Sequence, residues 1–308
     1  MRAFLFPGQG SQAVGMGVAL AGASRPAADV FAEVDEALGQ NLFRLMRDGP
    51  EDGLKLTENA QPAIMANAVA VFRTLGVRLP EVANFVAGHS LGEYSALCAA
   101  GSFDLATTAK LLRLRGQAMQ QAVPVGVGAM AALLGADLEL AQKIADAAAQ
   151  GEVCTVANDN DPSQVVISGH KGAIDRAIEL AKEMGAKRAI PLPVSAPFHC
   201  PLMQPAAEAM RDALSYVLVA PPAVPLYANV TAQAVTDPDT IRNQLVEQVT
   251  GMVRWRESVA NMAAAGVDEF VELGGKVLGP MVKRIAPEAK MTSVVTIEDV
   301  EALAKEIA

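Results

Sequence analysis

Hydrophobic positions along the chain follow two alternating patterns. Short apolar runs that end at Gly or Pro predict buried β-strands at 3–6, 85–89, 226–230, 269–273 and 293–295. Apolar residues spaced three or four positions apart predict helices near 61–75, 90–100, 104–122, 201–216, 239–249 and 256–265, with another from about Lys276 and a last one after 295. Pro62 and Gly76 suit the first turn of the 61–75 helix and the residue that follows it. This alternation is typical of an α/β fold with helices on a mostly parallel sheet.

The middle of the chain shows a different order of elements. Strands are predicted at 129–134, 153–157, 164–168 and 187–192, with helices at 137–149 and 171–184. This βαββαβ order is that of a ferredoxin-like unit. We therefore expect a small ferredoxin-like domain of residues 124–193, inserted in a large α/β-hydrolase-like catalytic domain formed by residues 1–123 and 194–308.

Composition narrows the class of protein. The 308 residues are 51% hydrophobic, which suffices for a substantial core, and carry a net charge of -9 without a run of Lys and Arg. Because phosphate binding needs clustered cations, nucleic acid is not an expected partner. No segment has the 18 consecutive apolar residues of a membrane span, and the first apolar run is too short for a signal peptide. The three cysteines lack a CxxC pair, so neither disulfides nor a metal site is expected, and a cytoplasmic protein fits best.

The stretch GHSLG at 88–92 carries the strongest chemical signal. It follows the apolar run VANFVA and matches G-x-S-x-G, in which a sharp turn between a strand and a helix exposes a serine. Ser90 would then lie where free backbone N–H groups favour developing negative charge, and the N–H of Leu91 is the natural oxyanion donor. Serine is also a favoured helix cap, so the motif alone leaves a structural role open.

A serine nucleophile needs a base, and the chain has three histidines. His170 lies in a predicted turn of the small domain, and the side chain of His89 should diverge from that of its neighbour Ser90. His199, in SAPFHC, lies where the chain returns to the large domain, at a crevice of the kind that binds ligands. Cys200 meets the same geometric objection as His89, and we interpret it as a packing residue.

A second glycine-rich stretch, FPGQGSQA at 6–13, loosely matches the dinucleotide-binding fingerprint. Gly15 and Gly17 interrupt the helix that should receive the pyrophosphate, and no strand with an acidic end follows at the required distance. A loop that presents backbone N–H groups at the end of the sheet is the better interpretation. Gln9 would then be a second oxyanion donor.

With FPGQGSQ, GHSLGEYSAL, LRLRGQAMQ, SAPFHC and EQVTGMVRW in this order, the chain resembles the malonyl-CoA:acyl carrier protein transacylases of bacterial type II fatty acid synthesis. The resemblance extends over essentially the whole chain. The GHSxGE motif alone is shared with acyltransferase domains of polyketide synthases and animal fatty acid synthases.

The resemblance implies a role for each motif. Ser90 would be the nucleophile, His199 the general base and acid, and the backbone N–H groups of Gln9 and Leu91 the oxyanion hole. The main-chain carbonyl of Gln248 would hold the imidazole, in place of the carboxylate of a Ser-His-Asp triad.

The resemblance also assigns the substrate contacts. Arg115 would bind the malonyl carboxylate, although helical periodicity alone does not distinguish it from Arg113. Phe198 would exclude an α-methyl branch, or else be a core aromatic. Asn158 and Asn160 could hydrogen-bond substrate where the small domain meets the cleft, but a turn is the preferred interpretation for both.

The implied reaction moves a malonyl group from malonyl-CoA to the phosphopantetheine thiol of acyl carrier protein, through a malonyl-serine intermediate and without cofactor or metal. Local basic pairs, Lys187-Arg188 or Lys283-Arg284, would dock the acidic carrier.

Three alternatives remain at this stage. The first is a serine hydrolase or thioesterase with Asp159, Asp161 or Asp175 as triad acid. The others are a polyketide-pathway acyltransferase and a non-catalytic carrier-binding module.

Overall fold

The structure, a computed structural model, describes residues 1–307. Its strands are β1 (Arg2–Phe6), β2 (Phe85–Gly88), β3 (Gly128–Leu134), β4 (Cys154–Asp161), β5 (Gln164–His170), β6 (Arg188–Pro191), β7 (Leu226–Tyr227), β8 (Ala234–Val235), β9 (Glu269–Leu273) and β10 (Lys290–Val294). The predicted strand at 226–230 is shorter than expected, because residues after Tyr227 turn back toward β8.

The helices lie between these strands, most of them where the sequence pattern predicts. They are α1 (Val18–Ala23), α2 (Arg25–Leu38), α3 (Leu42–Asp48), α4 (Glu51–Lys55), α5 (Thr57–Leu75), α6 (Leu79–Val82), α7 (Gly92–Ala99), α8 (Leu105–Gln121), α9 (Leu138–Ala149), α10 (Lys171–Glu183), α11 (Gln204–Ser215), α12 (Pro238–Gln248), α13 (Trp255–Ala264), α14 (Gly279–Ile285) and α15 (Ile297–Ile307). Among residues 1–307, no helix combines the length and hydropathy of a bilayer-spanning segment.

Two sheets organise the fold. The larger has the order β10-β9-β1-β2-β7-β8, in which neighbouring strands are parallel except for the antiparallel pair β7 and β8. The smaller is antiparallel, with the order β4-β5-β3-β6. The central strand β1 is buried from Ala3 to Phe6, as expected for a parallel strand covered by helices on both faces.

Helix α5 is the central helix of the larger layer, and nearly all its side chains are buried. It begins at Thr57, four residues before the predicted start, so Pro62 lies inside the helix and not in its first turn. A hydrophobicity pattern does not detect this start, because Thr57 and Asn59 are polar residues that are nevertheless buried. The Asn59 side chain donates to the Gly53 carbonyl at 2.8 Å.

The segment between β1 and α5 holds four helices that the sequence pattern did not predict. Helix α2 nevertheless carries the expected signals, since the Ser24 side chain caps it by accepting from the backbone N–H of Ala27 and Pro26 occupies its first turn. Its buried residues Ala27, Val30, Phe31 and Val34 recur at helical spacing. Helices α1, α3 and α4 have seven residues or fewer, too few for a helical repeat to be recognised.

The two sheets meet along β4, which is longer than predicted. Asn158 and Asn160 therefore lie in this strand and not in a turn. Asn158 bridges to Val253 of the larger layer, and the backbone N–H of Asp159 donates to the Val253 carbonyl at 3.0 Å. Two ion pairs secure the junction, from Asp159 to Arg256 at 2.8 Å and from Asp161 to Arg284 at 2.7 Å.

Candidate active site

A sharp turn joins β2 to α7 and presents Ser90. Ser90 has φ of +54°, a strained conformation for a residue with a side chain. A Cβ at Gly88 would lie 1.9 Å from backbone atoms of Gly92, and one at Gly92 would lie 2.3 Å from the Phe6 carbonyl oxygen. Only glycine fits on either side of the serine, so the hydroxyl projects at the carboxyl ends of β1 and β2. Leu91 and not Ser90 is the cap residue of α7, without a side-chain capping bond.

Side chains from distant segments hold this turn. The backbone N–H of Ser90 donates to Asn229 Oδ1 at 2.8 Å, and Asn229 Nδ2 donates to the Gly88 carbonyl at 2.7 Å. Gln248 Nε2 donates to the Ser90 carbonyl at 3.0 Å. The backbone N–H of Ser90 and the carbonyls of Gly88 and Ser90 are thus all hydrogen-bonded, which stabilises the strained turn.

His199 lies beside the serine. Its Nε2 is 2.7 Å from Ser90 Oγ, and its Nδ1 is 2.8 Å from the carbonyl oxygen of Gln248. A carbonyl can only accept, so Nδ1 carries the proton and Nε2 is free to accept the proton of the serine hydroxyl. His199 also has positive φ, +55°. The backbone is thus in a left-handed conformation at both members of the pair.

Burial keeps this imidazole neutral. His199 is 3% exposed, and desolvation, followed by repulsion from Arg115, lowers its pKa to about 3. At neutral pH the ring is therefore an acceptor, as a general base requires.

Arg115 reaches the serine from α8. Its Nη2 donates to Ser90 Oγ at 3.2 Å and to Gln248 Oε1 at 2.7 Å, while Nη1 donates to Gln61 Oε1 at 2.8 Å. The side chain is 1% exposed, and burial lowers its pKa. These hydrogen bonds all go to neutral acceptors, so the guanidinium charge faces the serine uncompensated by a directly bonded carboxylate.

The neighbouring Arg113 points elsewhere. It is half-buried on the other side of α8 and does not line the cavity described below. The structure thus distinguishes two arginines that helical periodicity left equivalent.

A cavity of about 330 Å³ opens onto Ser90, His199 and Arg115. Gln9 and Leu91 line it, and within residues 1–307 neither backbone N–H donates to a protein acceptor. The apolar part of its wall consists of Met119, Met130, Leu192, Val194 and Phe198, of which Phe198 is 8% exposed. The arrangement offers a nucleophile, a base, two backbone donors and a buried cation in one enclosed space.

The other candidate residues lie outside this arrangement. His89 Nε2 bonds to Asn160 Oδ1 at 2.8 Å, and its ring tilts against Trp255. His170 ends β5 and is not in a turn; its Nδ1 accepts from the backbone N–H of Val153 at 2.9 Å. Cys200 is buried and bonds to the Pro197 carbonyl.

The aspartates that a hydrolase triad would need do not contact His199. Asp159 and Asp161 pair with arginines at the junction of the sheets, and Asp175 pairs with Lys171 at 2.6 Å. The Nδ1 partner of His199 is a backbone carbonyl instead.

Sequence reasoning missed three polar residues at the site, namely Gln61, Glu93 and Asn229. Glu93 Oε2 accepts from Gln248 Nε2 at 2.6 Å and from the Asn229 N–H at 3.3 Å, and burial raises the pKa of Glu93 to about 7. The available signal was a polar residue within an otherwise apolar stretch, as in LYANV and GEYSALCAA.

Comparisons with known proteins agree with this geometry. A family model described as an acyl transferase domain matches residues 3–278. The chain is 46% identical over 284 residues to the malonyl CoA-acyl carrier protein transacylase of Escherichia coli (strain K12), covering 92% of each chain. An acyl-carrier-protein-S-malonyltransferase structure from Bartonella henselae is 50% identical, with a TM-score of 0.97 over 99% of both chains. A type II PKS acyl-carrier protein complex with its malonyl-transacylase matches at 39% identity and a TM-score of 0.95, over 99% of both chains.

Proposed function

The chain belongs to the acyl transferase domain family, and from that premise we propose that it transfers a malonyl group from malonyl-CoA to the phosphopantetheine thiol of acyl carrier protein. The transfer supplies fatty acid synthesis and proceeds through a malonyl-serine intermediate in a ping-pong sequence.

One observation carries this proposal. Ser90 Oγ lies 2.7 Å from His199 Nε2 and 3.2 Å from Arg115 Nη2. A base beside the hydroxyl supports acyl transfer, and a buried cation beside the same hydroxyl supports an acyl group that carries its own carboxylate.

In the first half-reaction, Ser90 Oγ attacks the thioester carbonyl of malonyl-CoA while His199 Nε2 takes the hydroxyl proton. The N–H groups of Gln9 and Leu91 stabilise the oxyanion, each by about 2.7–4 kcal/mol on the scale of known oxyanion donors. The C–S bond then breaks, and the imidazolium returns the proton to the departing thiol. In the second half-reaction, the phosphopantetheine thiol loses its proton to His199 and attacks the serine ester. The C–O bond of the ester then breaks, and the imidazolium returns the proton to Ser90 Oγ.

Arg115 provides the selectivity for malonate. Its guanidinium can meet a carboxylate with two charge-assisted hydrogen bonds in a closed cavity, whereas an acetyl group leaves the cation unpaired. Phe198 lines the same cavity and limits the room for an α-methyl branch.

The carrier protein docks outside the cavity, through basic residues. Lys187, Arg188 and Lys283 are exposed and suited to an acidic partner. Arg284 is a weaker candidate than its neighbour Lys283, because its charge already pairs with the buried Asp161.

We assign residues 124–193 as a ferredoxin-like domain and residues 1–123 with 194–308 as an α/β-hydrolase-like domain. The βαββαβ element order and the sheet order β4-β5-β3-β6 support the first assignment, and the strand-turn-helix around Ser90 supports the second. The free thiols of Cys98, Cys154 and Cys200 fit a cytoplasmic location.

Intact-mass measurement tests the proposal. Mixing the protein with malonyl-CoA should add one malonyl group, which persists until holo acyl carrier protein is added and then leaves with it. Ser90→Ala should acquire no adduct, while retaining the thermal melting profile of the wild type. Prompt release of free malonate without a thiol would indicate a hydrolase, and an unmodified wild-type protein would overturn the proposal.

A further inference from the structure

Glu93 is a buried carboxyl group that the mechanism above does not use. It lies in the first turn of α7, three residues after Ser90, and is 1% exposed. A carboxylate removed from water requires hydrogen bonds or a nearby positive charge. Its bonding partners are the Gln248 side chain and the backbone N–H of Asn229. The side chains of both residues also bond to the serine turn.

The Gln248 side chain connects this carboxylate to the buried cation. Its Oε1 accepts from Arg115 Nη2 at 2.7 Å, and its Nε2 donates to Glu93 Oε2 at 2.6 Å. The amide of Gln248 therefore has one orientation, with its oxygen toward the positive guanidinium and its nitrogen toward the negative carboxylate. The opposite amide orientation would place an N–H against the guanidinium.

We propose that Glu93 is a positioning residue for the substrate-binding arginine. Through the Gln248 amide, Glu93 holds the Arg115 guanidinium toward Ser90. It also supplies a buried negative charge near the guanidinium without itself bonding to the N–H groups of Arg115 that a substrate carboxylate needs. This inference rests on the proposed malonyl transfer.

Ionisation of Glu93 should then be visible in the acylation step. The titratable groups that interact with Glu93 are Arg115 on α8 and Tyr94 on its own helix. Burial raises the pKa of Tyr94, and a guanidinium stays protonated in proteins, so neither group titrates near neutrality. The pKa of His199, at about 3, lies far below that of Glu93, at about 7. Protonation of the His199 base would slow malonyl and acetyl acylation alike, so a decrease at low pH that affects malonyl-CoA and not acetyl-CoA reports Glu93.

The experiment compares kcat/KM for malonyl-CoA and for acetyl-CoA between pH 5.5 and 8.5 in the wild type and Glu93→Gln. In a ping-pong reaction, kcat/KM for malonyl-CoA reports acylation alone. Charged hydrogen bonds are about twice as strong as neutral ones, so we expect wild-type malonyl acylation to fall about tenfold as pH decreases through 7. Glu93→Gln should stay at the lower level at every pH, and acetyl acylation should change little.

Glu272→Gln is the matched control. Glu272 is also buried at the end of a parallel strand, but it accepts from the N–H groups of its own loop, at Val277, Leu278 and Gly279. This variant should lose stability and retain both the pH step and the malonyl preference.

Equal losses for malonyl-CoA and acetyl-CoA in Glu93→Gln, a malonyl rate that increases at low pH, or a wild type whose malonyl and acetyl rates share one pH dependence would each overturn the inference. If Glu93→Gln does not fold, the wild-type profiles for the two substrates decide by the same comparison. An inactive wild type would instead contradict the proposed function.

Discussion

The two sheets contribute differently to the cleft between them. The larger sheet brings the carboxyl ends of its parallel strands together, and Ser90, Asn229 and the Gln9 loop follow such ends directly. The antiparallel sheet contributes Met130 and Asn158 to the cavity wall, and its charged side chains bond to arginines away from the serine. Reacting atoms thus gather where parallel strands end beside a helix N-terminus. The antiparallel unit shapes and encloses the space.

If the reacting groups do lie on the side of the larger sheet, the largest effect should come from removing the proposed base. His199→Ala leaves Ser90 without a proton acceptor, so acylation by malonyl-CoA should fall roughly 10⁴-fold or more, as in other triad deletions. Stopped-flow measurement of acylation checks this. A decrease of less than tenfold would mean that another group is the base.

Arg115→Ala should remove the preference for malonate while leaving the hydroxyl and imidazole in place. Loss of one partner of a buried ion pair costs about 3–5 kcal/mol, which corresponds to roughly 10²-fold to 4 × 10³-fold in malonyl transfer. Acetyl transfer should persist or increase. Arg113→Ala, on the same helix but outside the cavity, is the control and should keep both rates. If malonyl and acetyl rates fall equally in Arg115→Ala, the assignment of Arg115 is wrong.

Phe198→Ser tests the apolar wall between the two regions. A cavity distinguishes one methyl group by about 1–3 kcal/mol, so the ratio of methylmalonyl to malonyl transfer should increase by roughly tenfold to a hundredfold. Competition between the two CoA esters measures the ratio. An unchanged ratio would leave Phe198 as a core aromatic without a role in selectivity.

Asp161→Asn changes a residue of the antiparallel sheet, and its effect on catalysis should be the smallest of the four variants. It breaks the pair with Arg284, whose side chain is 54% exposed and can regain water. The free energy of unfolding should fall by about 1–2 kcal/mol, the low end for a charged hydrogen bond, and malonyl transfer should change less than about twofold. Denaturant unfolding measures the free energy of unfolding.

Asp175→Asn is the control. It breaks the exposed pair with Lys171 and should leave stability unchanged. A large loss of activity in Asp161→Asn would show that the junction also positions reacting groups.

Hydrophobic periodicity predicted most of the α/β framework, because β1, α8 and α10 present continuous apolar patterns. It missed helices α1 to α4, of which α1, α3 and α4 have seven residues or fewer, and it placed Pro62 in the wrong turn because the start of α5 is polar yet buried. The stretch around Ser90 could be predicted, since G-x-S-x-G between an apolar run and a helix is a local motif, although the backbone contact that requires Gly92 is with the distant Phe6.

Contacts between residues far apart in the chain could not be predicted from the sequence. Gln61 and Glu93 bond to partners 54 and 155 positions away, and no local pattern encodes such pairs. The choice between Arg113 and Arg115 depends on which face of α8 meets the cavity, which is a property of packing. The roles of the site residues themselves remain predictions until the variants above are measured.

The bond between the Gln248 carbonyl and the imidazole has a consequence for how this protein can vary. The atom that orients His199 is a peptide oxygen, which every amino acid supplies and which does not ionise across the physiological range. Substitution at position 248 can therefore alter the side-chain bonds to Glu93, Arg115 and the Ser90 carbonyl without deleting the group that orients the imidazole. The orientation of the ring is thus independent of which side chain stands at this position.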